Sequence, residues 1–172
     1  HKDCVSKLEE FTSKKTFHRI LNDDAYSKDK GLLKLKKNNE IKKVVMCSGK
    51  IYYDLVQFRE INKNDEVVFI RLEQLYPFPA KTLANLLKKY EKAEFVWCQE
   101  EPENMGSWSF IDRRLESVLI NSKCKHSRPI YAGRPEAASP ATGTMSRHLR
   151  EQKLLINQAL GLEKINAASA AE

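Results

Sequence analysis

The sequence predicts an α/β fold: a three-layer, open, mostly parallel sheet with helices on both faces, preceded by an extended N-terminal arm. Short apolar runs without polar alternation recur along the chain, and such runs are typical of strands that are covered on both faces. Stretches with apolar residues at helical spacing separate these runs, and strands that alternate with helices favour a parallel sheet. The length of 172 residues suits one such domain with an arm.

Composition divides the chain into three regions. Residues 1–42 are predicted to be an N-terminal arm or linker, residues 43–161 the α/β domain, and residues 162–172 a frayed, alanine-rich tail. The first residue is His1 rather than Met, so we expect the chain to be a piece of a longer protein.

The arm contains two short segments with a pattern. Val5, Leu8 and Phe11 stand at helical spacing and predict a short helix, whereas residues 17–21 predict an extended segment that ends at a turn signal. A Lys-rich loop covers residues 28–39 and is interpreted as solvated surface.

Beyond residue 43, strands and helices alternate. The apolar runs predict strands at residues 44–47, 67–70, 95–98 and 130–132. Helical spacing predicts helices from Ile51 to about residue 62, from Pro79 to Tyr90, and from Ser107 onward with Trp108 on its core face. A last helix runs from about Thr144 to Leu160, with Leu149, Ile156 and Leu160 turned inward.

A Ser48-Gly49-Lys50 turn joins the first strand of this domain to its first helix. Glycine lets the backbone approach a ligand, the helix N-terminus offers free amides, and lysine supplies a charge, so the turn is a candidate cradle for phosphate. Arg71 ends the next strand at the same predicted edge, and Arg134 is a looser candidate. Two alternatives stay open: a tight turn with an exposed lysine, and an Arg71 that pairs with a glutamate, namely Glu73, Glu100 or Glu101.

Residues 97–108 run from the end of a buried strand into the start of a helix, which is where α/β sheets place ligands and partners. The alternative is that its charges are merely solvated and that its proline and glycine only turn the chain. A second segment, residues 135–143, is rich in small residues and must wrap a surface. The predicted contact residues of the two segments are Glu100, Glu101, Asn104, Gly106, Trp108, Pro135, Ser139 and Pro140.

Several function classes are disfavoured by the sequence. It contains no nucleophile–His–acid pattern, and its four histidines and four cysteines show no metal-ligand spacing, so no catalytic and no metal residues are predicted. Through residue 43 there are twelve Lys and Arg against seven Asp and Glu, which accounts for most of the net charge of +7, but no aromatic residues are interleaved for base stacking. Neither nucleic-acid nor membrane binding is predicted.

Four stretches of the sequence carry a resemblance to a known family: residues 45–55, residues 71–79, residues 96–102 with Asn104 and Gly106, and residues 131–135 with residues 138–140. They resemble the C-terminal domain of the E1 component of 2-oxoglutarate dehydrogenase. They follow the family's order and cover the chain from about Lys43 to Leu160. The arm also resembles the segment that leads out of the family's preceding domain, but the Lys-rich loop does not match.

The resemblance implies a transketolase-like C-terminal domain that completes a homodimeric, thiamine-diphosphate-dependent enzyme. The whole enzyme decarboxylates 2-oxoglutarate in the tricarboxylic acid cycle and transfers the succinyl group to lipoyl groups of the E2 succinyltransferase. Thiamine diphosphate and Mg²⁺ belong to domains upstream, so this chain alone is expected to be inactive. It is expected to support dimerisation, to form a weak oligomer when isolated, and to bind acetyl-CoA or AMP as an effector.

The resemblance also implies a compartment, the bacterial cytoplasm or, in a eukaryote, the mitochondrial matrix. A second function class remains open from the residues alone: a free-standing nucleotide- or CoA-binding α/β module. An upstream thiamine-binding region would separate the two.

Overall fold

The computed structural model of the chain describes residue 2 and residues 4–5, 8–12, 16–27 and 31–162. The helices within these ranges are α1 (Ile51–Asn62), α2 (Ala80–Leu87), α3 (Trp108–Asn121) and α4 (Met145–Leu160). Short 3₁₀ turns lie at Leu8–Phe11, Asp24–Tyr26, Asn38–Glu40 and Lys88–Tyr90. The strands are β1 (Ile20–Leu21), β2 (Lys43–Cys47), β3 (Val67–Leu72), β4 (Glu94–Pro102) and β5 (Ile130–Arg134).

The five strands form one sheet in the order β1-β3-β2-β4-β5. β2 pairs in parallel with both β3 and β4, and β5 extends the parallel sheet beyond β4, whereas β1 pairs antiparallel with β3. Each parallel connection passes through a helix, as crossovers between parallel strands require. The predicted open, mostly parallel sheet is therefore confirmed.

Two apolar clusters cover the two faces of the sheet. On one face α2 and α3 pack over alternate residues of the strands, and Trp97 is the largest side chain buried there. On the other face α1 and α4 pack over the intervening residues, among them Phe69. Alternate residues of a strand point to opposite faces, so the fully buried strands are apolar without alternation. The three-layer arrangement is confirmed.

The elements differ from the prediction in two strands, β4 and β1. β4 continues through Pro102, so Glu100 and Glu101 lie in a strand rather than in the predicted polar loop. A register shift between β4 and β5 accommodates this extension. β1 has two residues instead of five, because only Ile20 and Leu21 find partners on the edge of β3.

One prediction about an apolar face was wrong. Leu149 is 61% exposed rather than turned inward, because the first half of α4 contacts polar side chains and only its second half covers the sheet. In the arm, the short helix is a single 3₁₀ turn at Leu8–Phe11, and Val5, Leu8 and Phe11 are all exposed. The predicted frayed tail lies, apart from Leu162, outside the described residues.

None of the helices among the described residues combines the length and the apolar character needed to span a bilayer.

Candidate functional site

The carboxyl ends of β2, β3, β4 and β5 meet at one edge of the sheet because these strands are parallel. This carboxyl edge is where α/β folds place ligands and partners. It carries every residue that the sequence singled out, on the turn after β2, at the end of β3, at the end of β4 with the following loop, and on the segment after β5.

The turn after β2 places Lys50 directly before α1. Gly49 has φ +77°, a left-handed conformation that strongly favours glycine, although a Cβ there would meet nothing within 4 Å. Ser48 is half-buried beside it. The glycine is therefore needed for the backbone turn and not for a close approach within the chain.

Lys50 contacts the carboxylate of Glu100 at the end of β4. Gln152 on α4 donates its side-chain amide to the same Glu100 oxygen at 3.3 Å and to Asp54 on α1 at 3.0 Å. The predicted phosphate residue Lys50 is thus already joined to a predicted contact residue, and the link extends across α1, β4 and α4.

Arg71 lies in a separate group of contacts. Its guanidinium stacks over the Tyr52 ring at 4.3 Å and donates to the Tyr53 hydroxyl at 3.2 Å. The Glu73 carboxylate lies 3.8 Å from its Nε atom, so of the three glutamates considered from the sequence, Glu73 is the observed partner. Nε itself is buried without a hydrogen-bond partner.

Arg134 is 7% exposed and is held by hydrogen bonds. Its Nε donates to Glu151 on α4 at 2.5 Å and its Nη1 to the Pro140 carbonyl at 2.9 Å. Burial raises the pKa of Glu151, but hydrogen bonds from Arg147 and Arg134 outweigh it and lower the pKa from its ordinary value of 4.5. Arg134 therefore ties the segment after β5 to α4.

Gln99 organises the loop after β4, and the sequence analysis missed it. The side chain is 4% exposed, and its carbonyl accepts from the Trp97 indole and from the Trp108 amide, both at 3.0 Å. Its amide donates to three backbone carbonyls, two at the end of β4 and one in the loop, and the shortest bond reaches Met105 in the loop at 2.8 Å. The sequence feature that could have indicated this role is that Gln99 directly continues an apolar run, two residues after Trp97.

Gly106 makes room for that glutamine. A Cβ at this position would lie 3.0 Å from the Gln99 amide nitrogen, and φ is +66°. Both the space and the backbone conformation therefore require glycine.

Asn104 joins the loop to the segment after β5. Its amide donates to the Ala137 carbonyl and its carbonyl accepts from the Ala137 amide, both at 3.1 Å. The Tyr131 hydroxyl lies within hydrogen-bond distance of the Glu101 and Arg134 carbonyls, at 3.0 and 2.9 Å. Residues 100–108 and 135–143 therefore form one hydrogen-bonded surface, which we call the edge surface.

The edge surface presents most of the predicted contact residues to solvent. Glu100 is half-buried. Trp108 is 9% exposed and packs on Tyr131 with ring centroids 5.3 Å apart, so it supports the surface from beneath. A cavity of about 300 Å³ opens between Glu101, Arg134 and Gln152. The exposed contact residues are Glu101, Asn104, Gly106, Pro135, Ser139 and Pro140.

The carboxyl edge also holds the chain's two paired strand cysteines. In the described part of the chain no group of three or more His, Cys, Asp or Glu side chains is placed to hold a metal ion. Cys47 and Cys98 lie side by side on β2 and β4, and both are buried free thiols. Burial raises the pKa of Cys47 to about 12 despite the nearby Arg71, and it also raises the pKa of Cys98, so neither is a thiolate at neutral pH.

Comparison with known proteins agrees with the family resemblance of the sequence. Residues 5–160 match a family described as 2-oxoglutarate dehydrogenase C-terminal. The chain is 56% identical over 162 residues to the 2-oxoglutarate dehydrogenase E1 component of Brucella abortus (strain S19), and equally similar to the proteins of that name from Brucella anthropi and Brucella ovis. Each comparison covers 94% of this chain, which spans 16% of the relative's length.

Proposed function

The chain belongs to the 2-oxoglutarate dehydrogenase C-terminal family, and we propose from this that it is the C-terminal structural and regulatory domain of a 2-oxoglutarate dehydrogenase E1 component. The observation that carries the proposal is the identity of 56% across 94% of the chain. A match of that extent covers the sheet, both helix layers and the edge surface together. No observation on the described residues favours the alternative of a free-standing nucleotide- or CoA-binding module.

The parent enzyme in this proposal decarboxylates 2-oxoglutarate and transfers the succinyl group to lipoyl groups of the E2 component. Thiamine diphosphate would supply the carbanion chemistry, with Mg²⁺ holding its diphosphate. The described residues include no group of three or more His, Cys, Asp or Glu side chains placed to hold a metal ion. Following the family resemblance, we propose that upstream domains bind both cofactors, and we derive no catalytic step for this chain.

The proposed role of the chain is to support the homodimer through the edge surface. Asn104 and Gln99 hold this surface in place by hydrogen bonds within the chain. A surface that is ordered before it binds loses less conformational entropy on association. Small residues at its centre, Ser139 and Pro140 among them, allow close approach of a partner backbone.

The proposed effector site for acetyl-CoA or AMP comprises Ser48, Gly49, Lys50 and Arg71, with Arg134 as a looser candidate. Charge-assisted hydrogen bonds from lysine and arginine contribute about 1.5–3 kcal/mol each. The amides at a helix N-terminus add about 0.3–1 kcal/mol. Micromolar binding corresponds to about 8 kcal/mol, so several such contacts are needed together. Lys50 must leave Glu100 to take part, and Arg134 must leave Glu151.

The domain boundaries and the compartment belong to the same proposal. Residues 43–161 form the α/β domain, residues 1–42 the connection from the preceding domain, and residues 162–172 the tail. β1 and the turn at Asp24–Tyr26 nevertheless belong with the sheet, because β1 pairs with β3 and the Asp24 amide donates to the Tyr52 hydroxyl at 2.9 Å. We propose the compartment that the resemblance implies, the cytoplasm of a bacterium or the mitochondrial matrix of a eukaryote.

The experiment that tests the proposed function is a transplantation. Residues 5–160 of this chain replace the matching part of the Brucella abortus relative, and the chimera is assayed with 2-oxoglutarate, thiamine diphosphate and Mg²⁺. An active chimera supports the proposal, and a folded but inactive chimera opposes it.

A further inference from the structure

The amino edge of the sheet, where its parallel strands begin, carries a group of lysines. Some of them follow α2 and precede β4, and the others follow α3 and precede β5. The Lys125 amide donates to the Glu91 carbonyl at 2.8 Å, which holds the two segments side by side. All of these lysine side chains are exposed, and we call them the lysine cluster: Lys88, Lys89, Lys92, Lys123 and Lys125.

The lysine cluster lacks counter-charges. Glu91 is the one acidic residue within residues 88–92 and 123–126. In the part of the chain that the structure describes, no carboxylate lies within ion-pair distance of a cluster lysine, although other lysines of this edge do have such partners. Those paired lysines are Lys36, Lys42 and Lys43.

Helix dipoles account for only part of the lysine cluster. A cation near the last turn of a helix is favourable, but the effect falls off beyond that turn. Lys88 is the last residue of the α2 cap, and Lys123 lies directly after the cap of α3. Lys92 and Lys125 lie farther along the chain, so a different role is required for them.

The arm does not neutralise the lysine cluster. The turn Asn38–Glu40 packs against Lys88–Tyr90, and the Tyr26 hydroxyl joins the two at distances of 3.3 and 3.0 Å from their polar side chains. This turn brings Glu40 to the amino edge, but Lys37 directly precedes it. The added charges cancel, and the cluster keeps its positive charge.

The carboxyl edge has the opposite sign. Three of its glutamates are exposed and, among the described residues, have no ion-pair partner: Glu101, Glu103 and Glu136. The fold therefore separates unpaired positive and negative charge between the two edges of the sheet. A charged partner is guided to the edge whose sign is opposite to its own.

We propose that the lysine cluster binds an acidic segment of a separate protein, a segment that presents several Asp or Glu side chains to the amino edge. Lysine amines are point charges on flexible stems, and they can therefore follow carboxylates that are spread along a peptide. The edge surface lies at the other end of the strands, so such a partner leaves the proposed dimer contact free.

Two other occupants fit the lysine cluster less well. A nucleic-acid strand needs exposed aromatic side chains on which its bases stack, and Tyr90, the one aromatic residue within the two segments, is buried. A second copy of the chain would offer the glutamates of its carboxyl edge. Such a head-to-tail contact repeats into open chains, whereas a dimer closes.

Fluorescence anisotropy of a labelled glutamate-rich peptide at low salt tests the proposal on the whole chain. The same peptide with glutamine in place of glutamate is the control ligand. One variant combines Lys88→Gln, Lys92→Gln and Lys125→Gln. The matched control has the same net charge and alters three exposed cations outside the cluster, namely Lys81→Gln, Arg113→Gln and Arg150→Gln. Circular dichroism shows whether both variants are folded.

The expected result is that the cluster variant binds the glutamate-rich peptide about tenfold or more weakly than the unaltered chain, whereas the matched control binds within about twofold. Added salt should weaken binding by the unaltered chain. Equal affinity of the two variants would overturn the proposal, because net charge alone would then explain binding. Failure of the unaltered chain to bind the peptide at low salt would overturn it as well.

Carbodiimide coupling locates the contact without any variant. The reagent joins a peptide carboxylate to an adjacent lysine amine, and mass spectrometry identifies the lysine. Coupling concentrated on the lysine cluster supports the proposal, and coupling spread evenly over the exposed lysines opposes it.

Competition decides between the occupants. The proposal is wrong if a single-stranded oligonucleotide or an anionic phospholipid vesicle binds the cluster more tightly than the peptide at equal charge. It is also wrong if the chain forms open, salt-sensitive chains that the cluster variant abolishes, because a second copy would then be the occupant.

Discussion

Asp23 and Arg59 form an ion pair in which both side chains are fully buried. The Asp23 carboxylate accepts two hydrogen bonds from the guanidinium and one from the Phe69 amide at 2.7 Å. The guanidinium also lies 4.7 Å from the centre of the Phe69 ring. The pair therefore fastens the segment that follows β1 to α1 and β3.

Asp23→Ala should lower the free energy of unfolding by about 3–5 kcal/mol, because it removes the buried counter-charge of the guanidinium and leaves it only the half-buried Glu60 carboxylate, 3.3 Å from Nε. Urea unfolding followed by circular dichroism measures the loss. Arg113→Ala removes a largely exposed arginine from an ion pair on α3 and should change stability by less than about 0.5 kcal/mol. If the Asp23→Ala protein were as stable as the Arg113→Ala protein, the Asp23–Arg59 ion pair would not be needed for stability.

The buried amide of Gln99 makes a second stability prediction. Gln99→Glu keeps the size of the side chain but places an oxygen opposite the three carbonyls that its amide now satisfies. We expect a loss of about 2–4 kcal/mol in the free energy of unfolding. Gln57→Glu, the same change at an exposed position of α1, is the control and should have little effect. Equal stability of the two variants would refute the role given to Gln99.

The proposed effector site predicts that removing its cations weakens effector binding and that removing the charge of Glu100 strengthens it. Arg71→Ala and Lys50→Ala should each weaken acetyl-CoA or AMP binding about tenfold or more, because each removes a charge-assisted contact. Glu100→Gln should strengthen binding about two- to fivefold, since it releases Lys50 from an exposed ion pair.

Isothermal titration calorimetry measures these affinities, with Lys89→Ala as a control. Lys89 is exposed and lies shortly before β4 begins, at the opposite edge of the sheet. If the unaltered chain binds and Arg71→Ala binds equally well, the site assignment is wrong although the family assignment stands.

The edge surface predicts a weak, concentration-dependent oligomer of the isolated chain. Ser139→Arg places a large charged side chain on this surface and should shift the sedimentation profile toward monomer. Asn121→Arg, at an exposed position at the far end of α3, should leave the profile unchanged. A strict monomer at high concentration, or equal behaviour of the two variants, counts against the interface.

Local sequence patterns predicted most of the fold, because each buried strand is a short continuous apolar run and each helix has apolar residues at helical spacing. The Ser48–Lys50 turn was found for the same reason. The ion pair of Asp23 and Arg59 was not predicted, because the two residues are 36 positions apart and no local pattern marks either of them as buried. Gln99 looked like the start of a loop, since its partners are backbone carbonyls that only the fold brings to it.

Leu149 shows the limit of periodicity. It shares a helical face with Ile156, but only the second half of α4 contributes side chains to the apolar core, so Leu149 lies beyond that core. A helical pattern identifies the apolar side of a helix without showing how much of that side the core covers.

Release of CO₂ from 2-oxoglutarate, in the presence of thiamine diphosphate and Mg²⁺, tests the central claim most directly. The account predicts no release by the isolated chain, which lacks a metal-ligating cluster among its described residues, and release by the Brucella abortus chimera that carries residues 5–160. Release by the purified chain alone, or none by a folded chimera, would contradict it.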